Sequence, residues 1–396
     1  MVEEVAHALV RQPECTIRFS TSESLAGLVD YLRQHPSLPA DIPYSPFAVS
    51  LSRGFEPLRR FVLETGKNRT LTYRSLRRAA VAAMHSLEPL VTRVRAATRR
   101  EIDIFHSPSF TMPPEFRTDS RVRKVVTLYD MIPIHSPQMF GLPVVEGMKR
   151  RLRECSRDDT WILAISQATK NDFCEFTKSP PSRVFVTHLA AADHFFPERD
   201  PAVIAAARRK YRVPDGPFLL SVCTLEPRKN LHTVIKAFAE LILSERILDL
   251  NLVLVGNVGW KYEAIFAEAE RHPELKKRIF FAGYVPDDDL RAIYSAASAF
   301  VYMSVYEGFG LPPLEAMQCG VPVITSDVSS LPEVVGDAGI MLGPHDVPAL
   351  SAAMLRLHRD AEFRREKAAA SLARAKHFSW DRCAADTVCA YRQIIG

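Results

Sequence analysis

Glu307-Gly308-Phe309-Gly310-Leu311-Pro312-Pro313-Leu314-Glu315 is the stretch from which the rest of the chain can be read. The residues before it, Ala299-Phe300-Val301-Tyr302-Met303-Ser304, are apolar and rich in strand formers. The prolines after it suit a first helical turn, where backbone amides have no intrahelical partner. The stretch is therefore a strand-to-helix turn. Gly308 and Gly310 let it take positive φ and bring its backbone close to a ligand. The amides of Phe309, Gly310 and Leu311 face outward at the positive end of the helix, which predicts a bound anion, most simply a diphosphate. With Glu307 ending the strand and Glu315 in the first helical turn, two carboxylates flank one pocket and can accept hydrogen bonds from sugar hydroxyls. A diphosphate between two hydroxyl acceptors describes a nucleotide-sugar. The plainer alternative is a strand-helix corner in which Glu315 only complements the helix dipole.

Glu307 to Glu315 resembles the paired-glutamate motif of retaining GT-B glycosyltransferases, most closely glycosyltransferase family 4, and the following Ala316-Met317-Gln318-Cys319-Gly320-Val321-Pro322-Val323-Ile324 resembles that family too. Around it the second half alternates strands and helices. Strands are expected at Phe218 to Thr224, Leu250 to Gly256, Arg278 to Val285, Ala299 to Ser304, Val321 to Ser326 and Gly339 to Leu342, the pattern of a doubly wound domain.

Leu225-Glu226-Pro227-Arg228-Lys229-Asn230 follows the first of these strands and opens a helix over Leu231 to Leu243. Arg228 can fork onto phosphate oxygens and Lys229 can add a point charge, together neutralising a departing diphosphate without metal. Cations at a helix N-terminus oppose the dipole and need some such reason to be there; the alternative is a pair of solvated charges. The segment is similar to the family's Glu-Pro-Arg-Lys-Asn element, whose basic residues contact the donor diphosphate. Where many members carry a further arginine, this chain has Cys223 or Thr224. By the same resemblance Gly256, Asn257 and the backbone near Tyr284 and Val285 wall the nucleotide base. Asp287-Asp288-Asp289 reads as an acidic first helical turn after Pro286 rather than a metal site, so no metal is expected.

The first half is harder to read. Val2, Val5, Ala6, Leu9 and Val10 predict an amphipathic helix, Cys15 to Phe19 a strand, and Ser22-Glu23-Ser24 a cap for a second helix. A proline-rich loop follows from Pro36 to Pro46, then arginine-rich helical segments to about Arg100. Strands at Ile102 to Phe105, Lys124 to Leu128 and Trp161 to Ile165 imply parallel β/α units, with His106, Asp130 and Ser166 at their carboxyl ends where ligands sit. Tyr129-Asp130-Met131-Ile132-Pro133 resembles the family's His-Asp-Leu-Ile-Pro segment beside the reacting sugar, with tyrosine in the histidine position. Asp130 either lines the cleft or caps the turn before Pro133. His106 either touches the acceptor or sugar or is structural. The family's opening strand and glycine-rich turn are not evident, and the five glycines before residue 200 form no cluster. The first domain is therefore expected to lack both.

With 396 residues, 47% hydrophobic and 24% charged, the chain can fill two ordinary cores. Seven scattered cysteines without a CxxC pair fit neither a disulfide framework nor a zinc site, and a reducing cytoplasm suits them. No signal peptide or membrane span is read. Residues 51 to 157 hold 21 Lys or Arg against 10 Asp or Glu. Such a block either meets an anionic membrane surface or is a solvated face. No nucleic-acid recognition motif accompanies it.

The expected architecture is α/β GT-B, two Rossmann-like domains facing a cleft: an acceptor domain over 1–196, a nucleotide-sugar domain over 197–377, and a final helix over 378–396 crossing back to the first. The resemblance implies hexosyl transfer with retention, with catalytic Arg228, Lys229, Glu307 and Asp130, and Glu315 holding the ribose. Similar Glu-Pro-Arg-Lys-Asn sequences in bacterial mannosyltransferases of polysaccharide and O-antigen assembly imply GDP-mannose as substrate, with a rhamnosyl or glucosyl donor as the alternative, a saccharide or lipid-linked saccharide as acceptor, no separate cofactor, and a cytoplasmic enzyme peripheral to the membrane. Two rivals are a catalytically impaired GT-B subunit that binds nucleotide-sugar or a partner enzyme, and an NAD-dependent Rossmann enzyme. The second lacks any GxGxxG opening a helix.

Overall fold

The computed structural model describes residues 2–13, 16, 32, 102–110, 112, 114–117 and 119–396. Most of 14–101 lies outside them, and with it the expected strand at Cys15 to Phe19, the second helix, the proline-rich loop, the arginine-rich helices and the absence of a first strand and glycine-rich turn.

Two parallel sheets organise the described chain. The first runs β1 (Ile104–Ser107), β2 (Arg123–Leu128), β3 (Thr160–Ala164) and β4 (Val184–Val186) in that spatial order. Strand β1 starts two residues later than expected. Strand β4 is not legible in the sequence: three residues carry too little pattern to be seen, and pairing with β3 makes the strand. The second sheet holds β5 (Phe218–Val222), β6 (Asn251–Val255), β7 (Ile279–Gly283), β8 (Ala299–Tyr302), β9 (Val323–Ser326) and β10 (Ile340–Leu342), each within the stretch expected for it. Their spatial order is β10-β9-β8-β5-β6-β7. Counted from β5 and read from the other edge, this is the doubly wound order 3-2-1-4-5-6, and the order turns between β5 and β8.

Parallel strands buried on both faces read as continuous apolar runs, and side chains alternate between two cores. Phe218, Leu220, Val253 and Val255 enter one core, and Leu219, Leu252 and Leu254 the other. The first sheet divides likewise: Val126, Leu128, Ile162 and Ala164 face one way, whereas Val125 and Leu163 pack against Ala390 and Ile394. Those last two belong to the final helix Trp380–Ile395, which therefore covers a face of the first sheet. At its other end this helix meets the N-terminal helix Val2–Val10, with Arg11 and Asp381 2.6 Å apart. No helix among the described residues is long and apolar enough to cross a membrane.

Candidate active site

A crevice opens at the carboxyl ends of parallel strands where their order turns, and here two turns meet, one after β5 and one after β8. After β5 the chain passes through a tight 3-10 turn, Pro227–Lys229, before the helix Leu231–Glu245 begins. Arg228 and Lys229 thus sit ahead of that helix rather than in its first turn. Asn230 makes the junction at φ 57°, a left-handed conformation that asparagine tolerates. Its buried Nδ2 donates to the Met303 carbonyl at 3.0 Å, pinning the turn to the chain leaving β8.

That chain brings in Glu307, five residues beyond the end of β8 rather than at its last position. Lys229 Nζ donates to Glu307 Oε1 at 2.6 Å and to the Tyr302 hydroxyl at 2.5 Å. Arg228 Nη1 lies 2.7 Å from the same carboxylate oxygen and donates to the Tyr306 carbonyl at 2.9 Å, while Nη2 pairs with Glu226 at 2.6 Å. Glu226 also accepts from Trp260 Nε1 at 3.0 Å. Lys229 and Glu307 are only 9% and 8% exposed, so the ions are shielded from water and tightly coupled. Burial alone would raise the Glu307 carboxyl, but Lys229 and then Arg228 overcome it and hold the group at about 2. Burial pushes the neighbouring Tyr302 hydroxyl well up, as does Glu307, so Tyr302 remains protonated.

Gly310 caps the helix Leu311–Gln318 at φ 119°, where its conformational freedom is needed. Gly308 serves differently from the expectation, since its φ is not positive. A Cβ there would meet the Tyr129 carbonyl oxygen at 2.0 Å and Asp130 Cβ at 2.9 Å. The motif turn is thus pressed against the loop following β2. Pro312 and Pro313 occupy the first helical turn, and the amides of Phe309, Gly310 and Leu311 donate to no described residue. Glu315 is the fifth helical residue and so stands in the second turn, not the first. Its Oε2 accepts from Tyr294 at 3.0 Å. Burial raises its carboxyl to about 7, against the Tyr294 hydrogen bond. The two motif glutamates therefore differ: Glu307 is ionised and paired, Glu315 is poised to titrate.

From the first domain, Asp130 both closes a turn and faces the cluster. Its Oδ1 accepts from the Ile132 amide at 3.0 Å, closing the turn before Pro133. Burial is the largest influence on its carboxyl and raises it, and the fields of Arg228, Glu307 and Lys229 reach it as well. His106 is a structural tie. Its Nδ1 is 2.5 Å from the Tyr391 hydroxyl on the final helix and its Nε2 2.7 Å from Thr127 on β2, and burial lowers it to about 4. Neither ring nitrogen is left for an acceptor.

Gly256, at φ 141°, lets the turn after β6 close on β5; a Cβ there would fall 1.9 Å from the Cys223 carbonyl oxygen. The Asn257 carbonyl then accepts from the Leu225 amide at 2.9 Å. Tyr284 is 60% exposed beside buried Val285. Asp287, Asp288 and Asp289 form the first turn of the helix Asp287–Ala296, and Asp289 binds Lys210 and Tyr211.

Contacts between the domains have no signature in the sequence. Glu333 accepts from the Gln167 and Ala168 amides at 2.6 and 2.7 Å, and lies 3.2 Å from His188 Nε2, so a carboxylate of the second domain caps the helix Gln167–Thr177 of the first. Ser166 is that helix's own N-cap, and Thr169 donates to the Gly308 carbonyl at 3.2 Å. Nothing local marks Glu333 as a cap for a helix so distant along the chain.

The chain matches the family Glycosyl transferases group 1 over residues 203–373. It is 38% identical over 291 residues to the O-antigen chain mannosyltransferase B of Escherichia coli, covering 74% of each chain. The chain belongs to the group 1 glycosyltransferases. Another relative of this group 1 glycosyltransferase is the serotype-specific mannosyltransferase WbdA of Escherichia coli, 35% identical over 280 residues, which cover 69% of this chain and 34% of WbdA. Among solved structures, a glycosyltransferase from Rickettsia africae superposes with a TM-score of 0.65 at 16% identity, covering 99% of this chain and 93% of that one. WaaG, a glycosyltransferase involved in lipopolysaccharide biosynthesis, gives 0.60 at 17%, covering 88% and 96%. These likenesses establish the two-domain GT-B fold.

Proposed function

We propose that this glycosyltransferase moves a mannosyl residue from GDP-mannose onto a saccharide or lipid-linked saccharide, with retention of anomeric configuration, in the synthesis of a bacterial surface polysaccharide. The observation that carries this reading is the Arg228-Lys229-Glu307 cluster at the turn in strand order, together with three amides at a helix start that donate to no described residue. The mannosyltransferases among its relatives favour the sugar.

In this mechanism the diphosphate lies between the amides of Phe309 to Leu311 and the two cations. Lys229 has a third N–H direction beyond those to Tyr302 and Glu307, and Arg228 keeps donors beyond its three contacts. Charge developing on the leaving phosphate is met by groups already oriented in a site shielded from water, which lowers the barrier. Glu307 accepts from the sugar's hydroxyls and Glu315 from the ribose. The departing diphosphate takes the acceptor's proton. No metal or separate cofactor has a part in this scheme. Asp130 faces the reacting sugar from the first domain, and a basic first domain on the cytoplasmic face of the membrane brings a lipid-linked acceptor to the cleft. Incubation with GDP-mannose and a mannoside acceptor, followed by NMR of the product, tests the reading. An α-linked mannoside is expected; a β-linked product overturns retention, and transfer only from another donor overturns the choice of sugar.

A further inference from the structure

A third set of polar groups joins the domains beside the cluster, and the glycosyl-transfer scheme leaves it unused. The Tyr306 hydroxyl donates to Asp172 Oδ2 at 2.6 Å, and His135 Nε2 lies 3.1 Å from the same oxygen. The His135 ring stacks on the Tyr306 ring, centroids 4.6 Å apart and planes at 22°. Asp172 lies in the helix Gln167–Thr177 and His135 in the short helix Ile132–His135, both in the first domain. Tyr306 leads directly into Glu307 and is buried. Its carbonyl accepts from Arg228 Nη1 at 2.9 Å and from the Ser304 hydroxyl at 3.2 Å.

We propose that Tyr306, held by Asp172 and His135, is a positioning residue through which the first domain sets Arg228 and Glu307 for transfer. The polypeptide supports it at both ends. One end of Tyr306 is fixed to two first-domain side chains, and the other is fixed to the guanidinium that also binds Glu307. A shift of the ring moves the carbonyl, and with it the Arg228 fork and the start of Glu307. Burial and the bond to Asp172 push the Tyr306 hydroxyl far up, so it remains a donor throughout the working range. The groups assigned to the donor, namely Arg228, Lys229, Glu307, the amides of Phe309 to Leu311 and Glu315, all belong to the second domain, and Tyr306 is tied to Arg228 and Glu307 among them. Lys229, those amides and Glu315 keep their places when the cross-domain bond is lost, so the rate falls more than donor affinity does.

The inference rests on the donor reading above, and one pair of measurements separates the two. GDP-mannose binding is followed by calorimetry and GDP release is followed with methyl α-mannopyranoside or water as acceptor, for the wild type, Tyr306→Phe, Asp172→Ala and the double variant. A hydrogen bond to a charged group is lost, so each single variant should release GDP about tenfold or more slowly, with donor affinity within about twofold of the wild type. Because the two residues act through one bond, the double variant should be no slower than the slower single. His135→Gln, which keeps a donor to Asp172, should retain more rate than His135→Ala. A Tyr306→Phe enzyme as fast as the wild type, losses that multiply in the double variant, or a fall in donor affinity that matches the fall in rate would overturn the positioning role. A wild type that neither binds GDP-mannose nor releases GDP overturns the donor reading itself.

Discussion

Lys229→Ala removes the ammonium that lies 2.6 Å from Glu307 and 2.5 Å from the Tyr302 hydroxyl. Two losses follow. In catalysis, one preoriented donor facing developing charge is worth about 3 to 4 kcal/mol, so kcat should fall about 10² to 10³-fold. In stability, a buried carboxylate that loses its only partner costs about 3 to 5 kcal/mol, but Glu307 keeps Arg228 at 2.7 Å, so the loss should stay at or below the lower end of that range. Against burial, Lys229 and then Arg228 hold the Glu307 carboxyl at about 2, and it should rise in the variant. Steady-state kinetics over a donor titration, with thermal unfolding alongside, measures both. Lys229→Arg should recover stability better than rate, because a planar fork does not reproduce the direction of the ammonium. A Lys229→Ala enzyme that is folded and within about threefold of wild-type kcat would refute the assignment of leaving-group stabilisation to this residue.

Other consequences can be tested independently. Glu315 has a folded-state carboxyl at about 7, above its ordinary 4.5, so the folded state binds its proton more tightly than the unfolded one. Its stabilising effect is present at low pH and is lost as pH rises from about 4.5 through about 7; Glu315→Gln should flatten that part of the stability profile measured by urea unfolding between about pH 5 and 8. If the ionised carboxylate holds the ribose, donor affinity should rise across the same interval in the wild type and not in the variant. Glu307 has the opposite sign. Its contribution is complete above about 4.5 and disappears as pH falls toward about 2, so Glu307→Gln should narrow the gap in stability between neutral and acid solution. Gly308→Ala places a methyl 2.0 Å from the Tyr129 carbonyl oxygen, which forces the domains apart; kcat should fall by at least about tenfold while donor binding, measured by calorimetry, changes little. Glu333→Ala removes two charge-assisted bonds to the first turn of the helix Gln167–Thr177 and should lower thermal stability by about 1 to 2 kcal/mol.

The second domain is legible in the sequence because each of its strands is an apolar run ended by a turn, the pattern that burial on both faces imposes. Leu252, Val253, Leu254 and Val255 announce β6 outright. Local chemistry likewise exposes the Arg228-Lys229 turn and the Gly310 cap. It misjudges what depends on distant neighbours. The reason for Gly308 is the Tyr129 carbonyl, not its own φ, and a glycine reveals only that space or freedom is needed. His106 gives no sign that Tyr391, far along the chain on the final helix, takes one of its nitrogens. The pairing of Arg228 with Glu226 and Glu307 is equally hidden, although all three residues lie in the segments singled out for their charge. Their opposite signs point toward it, and only the turn in strand order brings them together.

Calorimetric titration of GDP-mannose, UDP-glucose and dTDP-rhamnose into the pure protein, with Glu315→Ala as control, tests the central claim most directly. The account predicts that GDP-mannose binds, that the other two bind much more weakly, and that the variant loses the interaction. Equal binding by the Glu315→Ala protein, or no binding of any donor by the wild type, would contradict it.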